Sequence, residues 1–189
     1  MNEDPGWNLP WKSFSYAFAP RWAVQRAAKQ PDSSELTFIR QLFASCSLFL
    51  LILTVIFLIL IGSVEPQSPQ AAILISIVLI QGIFGLILGR HLRRRLDCSS
   101  DATLVSSYRT LFFCRVYIGL GVAVTSFAFS LRLGPKWVYP IGLGLAIAGM
   151  VISAPTRRRL NSEQNDLSSN GCHLSLIHAL ASQPVQGFG

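Results

Sequence analysis

The sequence predicts an all-α fold: an integral membrane four-helix bundle built of two helical hairpins, preceded by an amphipathic interfacial arm. Three observations predict it. Apolar residues make up 51% of the 189 positions and charged residues only 13%, where soluble globular chains carry roughly 25% charge. The nine acidic residues stand at 3, 4, 32, 35, 65, 97, 101, 163 and 166, so 66–96 and 102–162 hold none. The apolar residues gather in four blocks, 42–62, 71–89, 111–131 and 137–154.

In chain order, residues 1–40 form a polar, aromatic arm. Its "WNLPWKSFSYAFAPRWAVQRAAK" sets Trp7, Trp11, Phe14, Phe18 and Trp22 at steps of 4, 3, 4 and 4, which keeps them on one helical face. Lys12, Arg21, Arg26 and Lys29 add positive charge, and Pro10 and Pro20 interrupt a continuous helix. An aromatic stripe with basic neighbours suits a segment lying in the membrane interface; packing on a partner protein, or disorder, is the competing expectation. "PDSSEL" at 31–36 reads as a helix start, with serines to cap free N–H groups and Glu35 in the first turn.

The membrane domain spans 41–156. A helix rises about 1.5 Å per residue, so roughly 20 residues cross a hydrocarbon core of about 30 Å. In that dry core a helix satisfies its own backbone groups. The first block is too long for a cleaved signal sequence and is expected to remain as a signal anchor. The last is the shortest, and its Pro140 falls in the first turn, where no N–H is needed. After it, 157–189 is a polar tail: "NSEQNDLSSNG" reads as a loop, "HLSLIHALA" as a short amphipathic helix and "SQPVQGFG" as a frayed end.

Charge sets the orientation. Five of the sixteen cations precede the first block, six lie between the second block and the start of the third, and three follow the fourth. Fourteen therefore fall on one side, against Arg132 and Lys136 on the other. Cationic loops resist translocation, so the rich side is cytoplasmic and both termini are inside. Arg93, Arg94 and Arg95, with Arg157, Arg158 and Arg159, are first topological determinants. Attraction to anionic headgroups follows from the same position. Nucleic-acid binding is not expected, because no helix-turn-helix, zinc spacing or RNP-like signature accompanies the charge. In that compartment Cys46, Cys98, Cys114 and Cys172 are expected to be reduced. His173 and His178 are five apart and share no helical face, so no metal site is expected there.

"FIR" at 38–40 and "FCR" at 113–115 open the two hairpins, and "RRRL" closes them at 93–96 and 157–160. A duplicated hairpin explains this echo, and so does independent placement of inside arginines. Candidate chemistry within the blocks is sparse, for they contain no Asp, Glu or His. Arg115 sits one turn into the third block, where its stem can snorkel to headgroups. Gln81 lies mid-block and should meet another helix, since an unpaired amide is costly in hydrocarbon. It heads a face with Gly85 and Gly89, with Gly82 alongside; Gly142, Ala146, Gly149 and Ser153 form a similar face in the fourth block. Small residues let helix backbones approach closely, within the chain or between subunits.

"YRTLFFCRVYIGLG" followed by "SAPTRRRLNSEQNDL" resembles a group of uncharacterised bacterial four-helix membrane proteins, over roughly residues 36–168. In that group helix three opens with Arg-Thr and a further Arg, and helix four ends in a Pro-Thr-basic run. Members often carry an acidic residue in helix three, a few positions past the arginine; "VYIGLG" has none here. The resemblance implies a bacterial inner membrane and no particular activity. No nucleophile–base pair, phosphate-cradling loop or metal set can be assembled, so no enzyme and no cofactor is expected. The expected role is an accessory, assembly or scaffold subunit of a membrane complex, homo-oligomeric or joined to other membrane subunits. The alternative is a small transporter or channel for a non-protonic solute.

Overall fold

A computed structural model of the chain describes residues 24, 25, 27, 34–63, 71–92, 96–133 and 135–185. The described residues form helices α1 (Glu35–Leu60), α2 (Ala71–Leu92), α3 (Asp101–Leu133), α4 (Val138–Ser153), α5 (Arg157–Ser169) and α6 (Leu176–Ser182), with a 3-10 turn at Ile61–Ser63. They contain no strand, only an isolated antiparallel bridge between Ser34 and Pro184. α1 and the Asp101–Arg132 stretch of α3 are long and apolar enough to cross a membrane; α4 and α5 taken as one bent span would make a third.

Local chemistry sets the helix ends. Ser34 starts α1, its Oγ accepting the Thr37 N–H at 3.3 Å, as N-caps do. Ser100 and Thr103 cap α3 reciprocally: each hydroxyl accepts the other's backbone N–H, at 3.2 and 3.0 Å. α3 therefore begins ten residues ahead of the expected span and buries Leu104, Val105 and Tyr108 on the way. Pro155, which has no N–H and disfavours helix in the residue before it, separates α4 from α5. Thr156 then caps α5, accepting the Arg159 N–H at 3.3 Å.

The chain divides into two compact units. The first comprises Met1–Cys46, Arg95–Phe112 and Ala154–Gly189. Phe38, Ile39, Leu42, Leu104, Leu160, Leu176 and Leu180 form its core, all within 3% of complete burial. Two expectations fail here. The segment read as a loop at 161–171 is largely helix α5: Leu160, Glu163 and Leu167 are buried at steps of 3 and 4, an amphipathic period that its Ser/Asn composition masks. The expected frayed end is anchored through residue 185, because the Gln183 carbonyl accepts the Glu35 N–H at 3.1 Å and Val185 is buried.

The second unit comprises Ser47–Arg94 and Phe113–Ser153. Leu74, Val78, Val122 and Val138 form one core cluster, with Ile75, Phe129 and Leu145 against it. Tyr139 is buried between Phe57 and Phe127, at ring distances of 4.3 and 5.7 Å, and its hydroxyl lies 2.9 Å from Thr54 Oγ1. Buried Ser130 accepts the Tyr139 N–H at 2.9 Å, which satisfies the otherwise unbonded start of α4.

Candidate functional site

The small residues of the second unit are set against specific neighbours. A methyl group added at Gly82 would lie 2.9 Å from Leu145 Cδ1, and one at Gly85 would collide with Ile118 Cγ2. At Gly142 it would strike the Ser126 side chain and come within 3.3 Å of the Val122 carbonyl. α2 thus approaches α3 and α4, and α4 approaches α3, at positions where an added side chain would displace a neighbour, least easily at Gly142. Gln81 reaches α3: its Nε2 lies 3.4 Å from the point where a Gly121 side chain would begin. Ala146 is fully buried. Gly149 differs, with open space where a side chain would stand.

Buried charge appears only in the first unit among the described residues: Glu35, Arg40, Arg109 and Glu163. Arg109 Nη1 lies 3.4 Å from Glu35 Oε1, with side-chain exposures of 8% and 0%. Glu35 stands in the first turn of α1, seven residues ahead of the apolar stretch and outside it. Burial pushes its carboxyl up from 4.5 to about 7, and the nearby Arg109 guanidinium limits the rise. Glu163 is clamped by Arg159 one turn earlier on α5, at 3.5 Å. Arg159 therefore serves an intramolecular pair, while Arg157 and Arg158 are exposed and Arg115 is half-buried on α3.

Cys98 and Cys172 are joined as a disulfide, 74 residues apart in sequence, with Cα atoms 5.8 Å apart. This overturns the expectation of four reduced thiols; Cys46 and Cys114 remain free. No short-range motif announces the pair, since the two cysteines meet only through the packing of the first unit. Glu35–Arg109 was equally hidden: Glu35 read as a first-turn acid and Arg109 as one loop cation among six. The burial of Tyr108 beside Arg109 is the signal that α3 is already packed at this point.

Of the other residues singled out in the sequence, Trp7, Trp11, Phe14, Phe18, Trp22, Arg93, Arg94 and Arg95 lie outside the described residues, as does the side-chain environment of Gly89. No group of three His, Cys, Asp or Glu among the described residues is placed to hold a metal ion. Compared with protein-family models, curated proteins and solved structures, the chain matches none.

Proposed function

We propose that the chain is a four-span protein of the bacterial inner membrane, with both termini cytoplasmic, acting as a non-catalytic accessory, assembly or scaffold subunit. One observation carries the membrane part. Among the described residues, every exposed large hydrophobic belongs to the second unit, from Leu51 at 60% through Ile59 at 74% and Ile80 at 66% to Val151 at 70%. Water-soluble proteins rarely expose contiguous apolar surface beyond a few hundred Å², whereas lipid-facing helices must. The 22 residues of α2 reach about 33 Å and the 16 of α4 about 24 Å. The first helix of each hairpin, at 26 and 33 residues, is longer than the second.

The subunit role draws support from what the second unit offers chemically. Its described residues include no carboxylate, and its histidine, His91, stands in the last turn of α2. Proton-coupled transport through a membrane uses an ionisable group within it. The glycine contacts tie α2, α3 and α4 to one another, and the open space at Gly149 leaves room for a helix of a neighbouring subunit. The inside arginines Arg93, Arg94, Arg95, Arg157 and Arg158 would lie among anionic headgroups.

Purification in mild detergent followed by native mass spectrometry tests this reading. A homo-oligomer or a stoichiometric membrane partner is expected. Protein in liposomes that moves protons or cations, with Gln81→Leu stopping the flux, would establish a transporter instead.

A further inference from the structure

Two capped helix ends present the only disulfide among the described residues. Cys98 lies two residues before the Ser100 cap, in a turn where Asp97 Oδ1 accepts the Ser99 N–H at 2.9 Å. Cys172 lies two residues after the α5 cap Asn170. There Gly171 adopts φ +86°, Gly171 N–H bonds the Ser168 carbonyl at 3.1 Å, and Cys172 N–H bonds the Leu167 carbonyl at 3.0 Å. This is the paired closure that a left-handed glycine gives a helix C-terminus. Both cysteines are therefore held by local structure that does not depend on the bond. Their Cα separation of 5.8 Å lies within the range a disulfide spans.

The two cysteines also lie on the side that the arginine tally assigns to the cytoplasm. Disulfides in that compartment are transient and redox-active rather than permanent. We propose that Cys98–Cys172 is a reversible thiol–disulfide exchange site, which ties the α5–α6 connection to the approach to α3 when oxidised and opens at that one point when reduced. Its reductant is a protein dithiol of the thioredoxin class, and its oxidant a low-molecular-mass disulfide such as glutathione disulfide. The proposal rests on the cytoplasmic orientation given above.

Exposure sets the order of events. Cys98 is half-buried and Cys172 is 5% exposed, so the incoming thiolate attacks the Cys98 sulfur. A mixed disulfide forms there, and Cys172 leaves as a thiolate that takes up a proton. The second thiol of the reductant then attacks its partner sulfur and frees Cys98. Two electrons and two protons pass to the chain, and the reductant leaves as its own disulfide. In the reverse direction, two molecules of glutathione depart as the protein bond closes. Opening is local, because the Gln183–Glu35 hydrogen bond and the buried Leu176, Leu180 and Val185 still seat the C-terminal segment.

The test counts thiols in the full chain. Inside-out and right-side-out membrane vesicles are treated with thioredoxin and its regenerating system, then denatured and labelled with a maleimide polymer. The oxidised chain takes up two labels and the reduced chain four, since the sequence has four cysteines. Expected is a change from two to four in inside-out vesicles only, with return to two on adding glutathione disulfide. A Cys98→Ser variant should take up three throughout. Two labels persisting after thioredoxin in both orientations, or four that glutathione disulfide never lowers, overturns the exchange site. Reduction confined to right-side-out vesicles overturns the orientation instead, while leaving the bond reducible.

Discussion

At Gly142 the approach of α4 to α3 leaves no room for a single methyl group, because Ser126 occupies the position. Gly142→Val should therefore destabilise the second unit by about 2–3 kcal/mol, the usual cost of forcing atoms into a filled core. Gly149→Ala is the control: it meets nothing within 4 Å and should be neutral or slightly stabilising, since Ala is the better helix former by about 0.5–1 kcal/mol. Thermal unfolding of both variants in the same detergent checks the contrast. Glu35 gives a second residue-scale expectation. Its folded-state carboxyl titrates at about 7 against an ordinary 4.5, so the folded chain binds the proton more tightly than the unfolded one. The stability this lends is present below 4.5 and is lost as pH rises through about 7. Glu35→Gln should flatten the pH dependence of the melting temperature across that window. Arg109→Met alone should cost about 3–5 kcal/mol well above pH 7, where it strands a buried carboxylate, and less below it, where Glu35 takes up a proton. Combining it with Glu35→Gln should recover most of the loss, which a double-mutant cycle measures.

Among the elements, α1, α2 and α4 were legible in the sequence because each is a long, nearly unbroken apolar run. Their bounds fall close to the apolar blocks at 42–62, 71–89 and 137–154, apart from the early start of α1 that "PDSSEL" anticipates. α5 was not legible as a helix. Its buried stripe is only Leu160, Glu163 and Leu167, and one of the three is an acid whose burial depends on Arg159. The extension of α3 back to Asp101 was hidden for a related reason: residues 101–110 are too polar to register as a span, yet Leu104, Val105 and Tyr108 are buried. The glycine faces named from spacing alone divide in the structure, with Gly142, Gly82 and Gly85 closing on neighbours and Gly149 on none. The disulfide is an element-scale constraint of its own. Cross-linking residues 74 apart should stabilise the first unit by about 4 kcal/mol in the chain-entropy account, which denaturant titration with and without reductant measures. Gly171→Ala, which forces a side chain into φ +86°, should cost about 1 kcal/mol and slow re-closure of the bond.

Across the whole molecule the two units invert one another's chemistry. Charge is buried in one, and large apolar side chains are exposed in the other. Hydropathy foretold the exposed apolar surface but not the buried charge, because composition records where residues are abundant and not which few of them meet. The orientation makes a testable claim at this scale. A cysteine placed at position 67 should be labelled by a membrane-impermeant maleimide only from outside the cell. After reduction, Cys98 should be labelled only from the cytoplasmic face. The opposite pattern would reverse the charge-based orientation.

The bond between Cys98 and Cys172 also has a place in time. It encloses all of α3, α4 and α5 within its loop. A ribosome working at about 5–20 residues per second takes about 4–15 s to make that stretch. Cys98 cannot close this bond during that time, because its partner arrives only after α3, α4 and α5 have been synthesised. A closed bond is thus a record that synthesis has passed residue 172: a nascent chain stalled within α3, α4 or α5 cannot carry it.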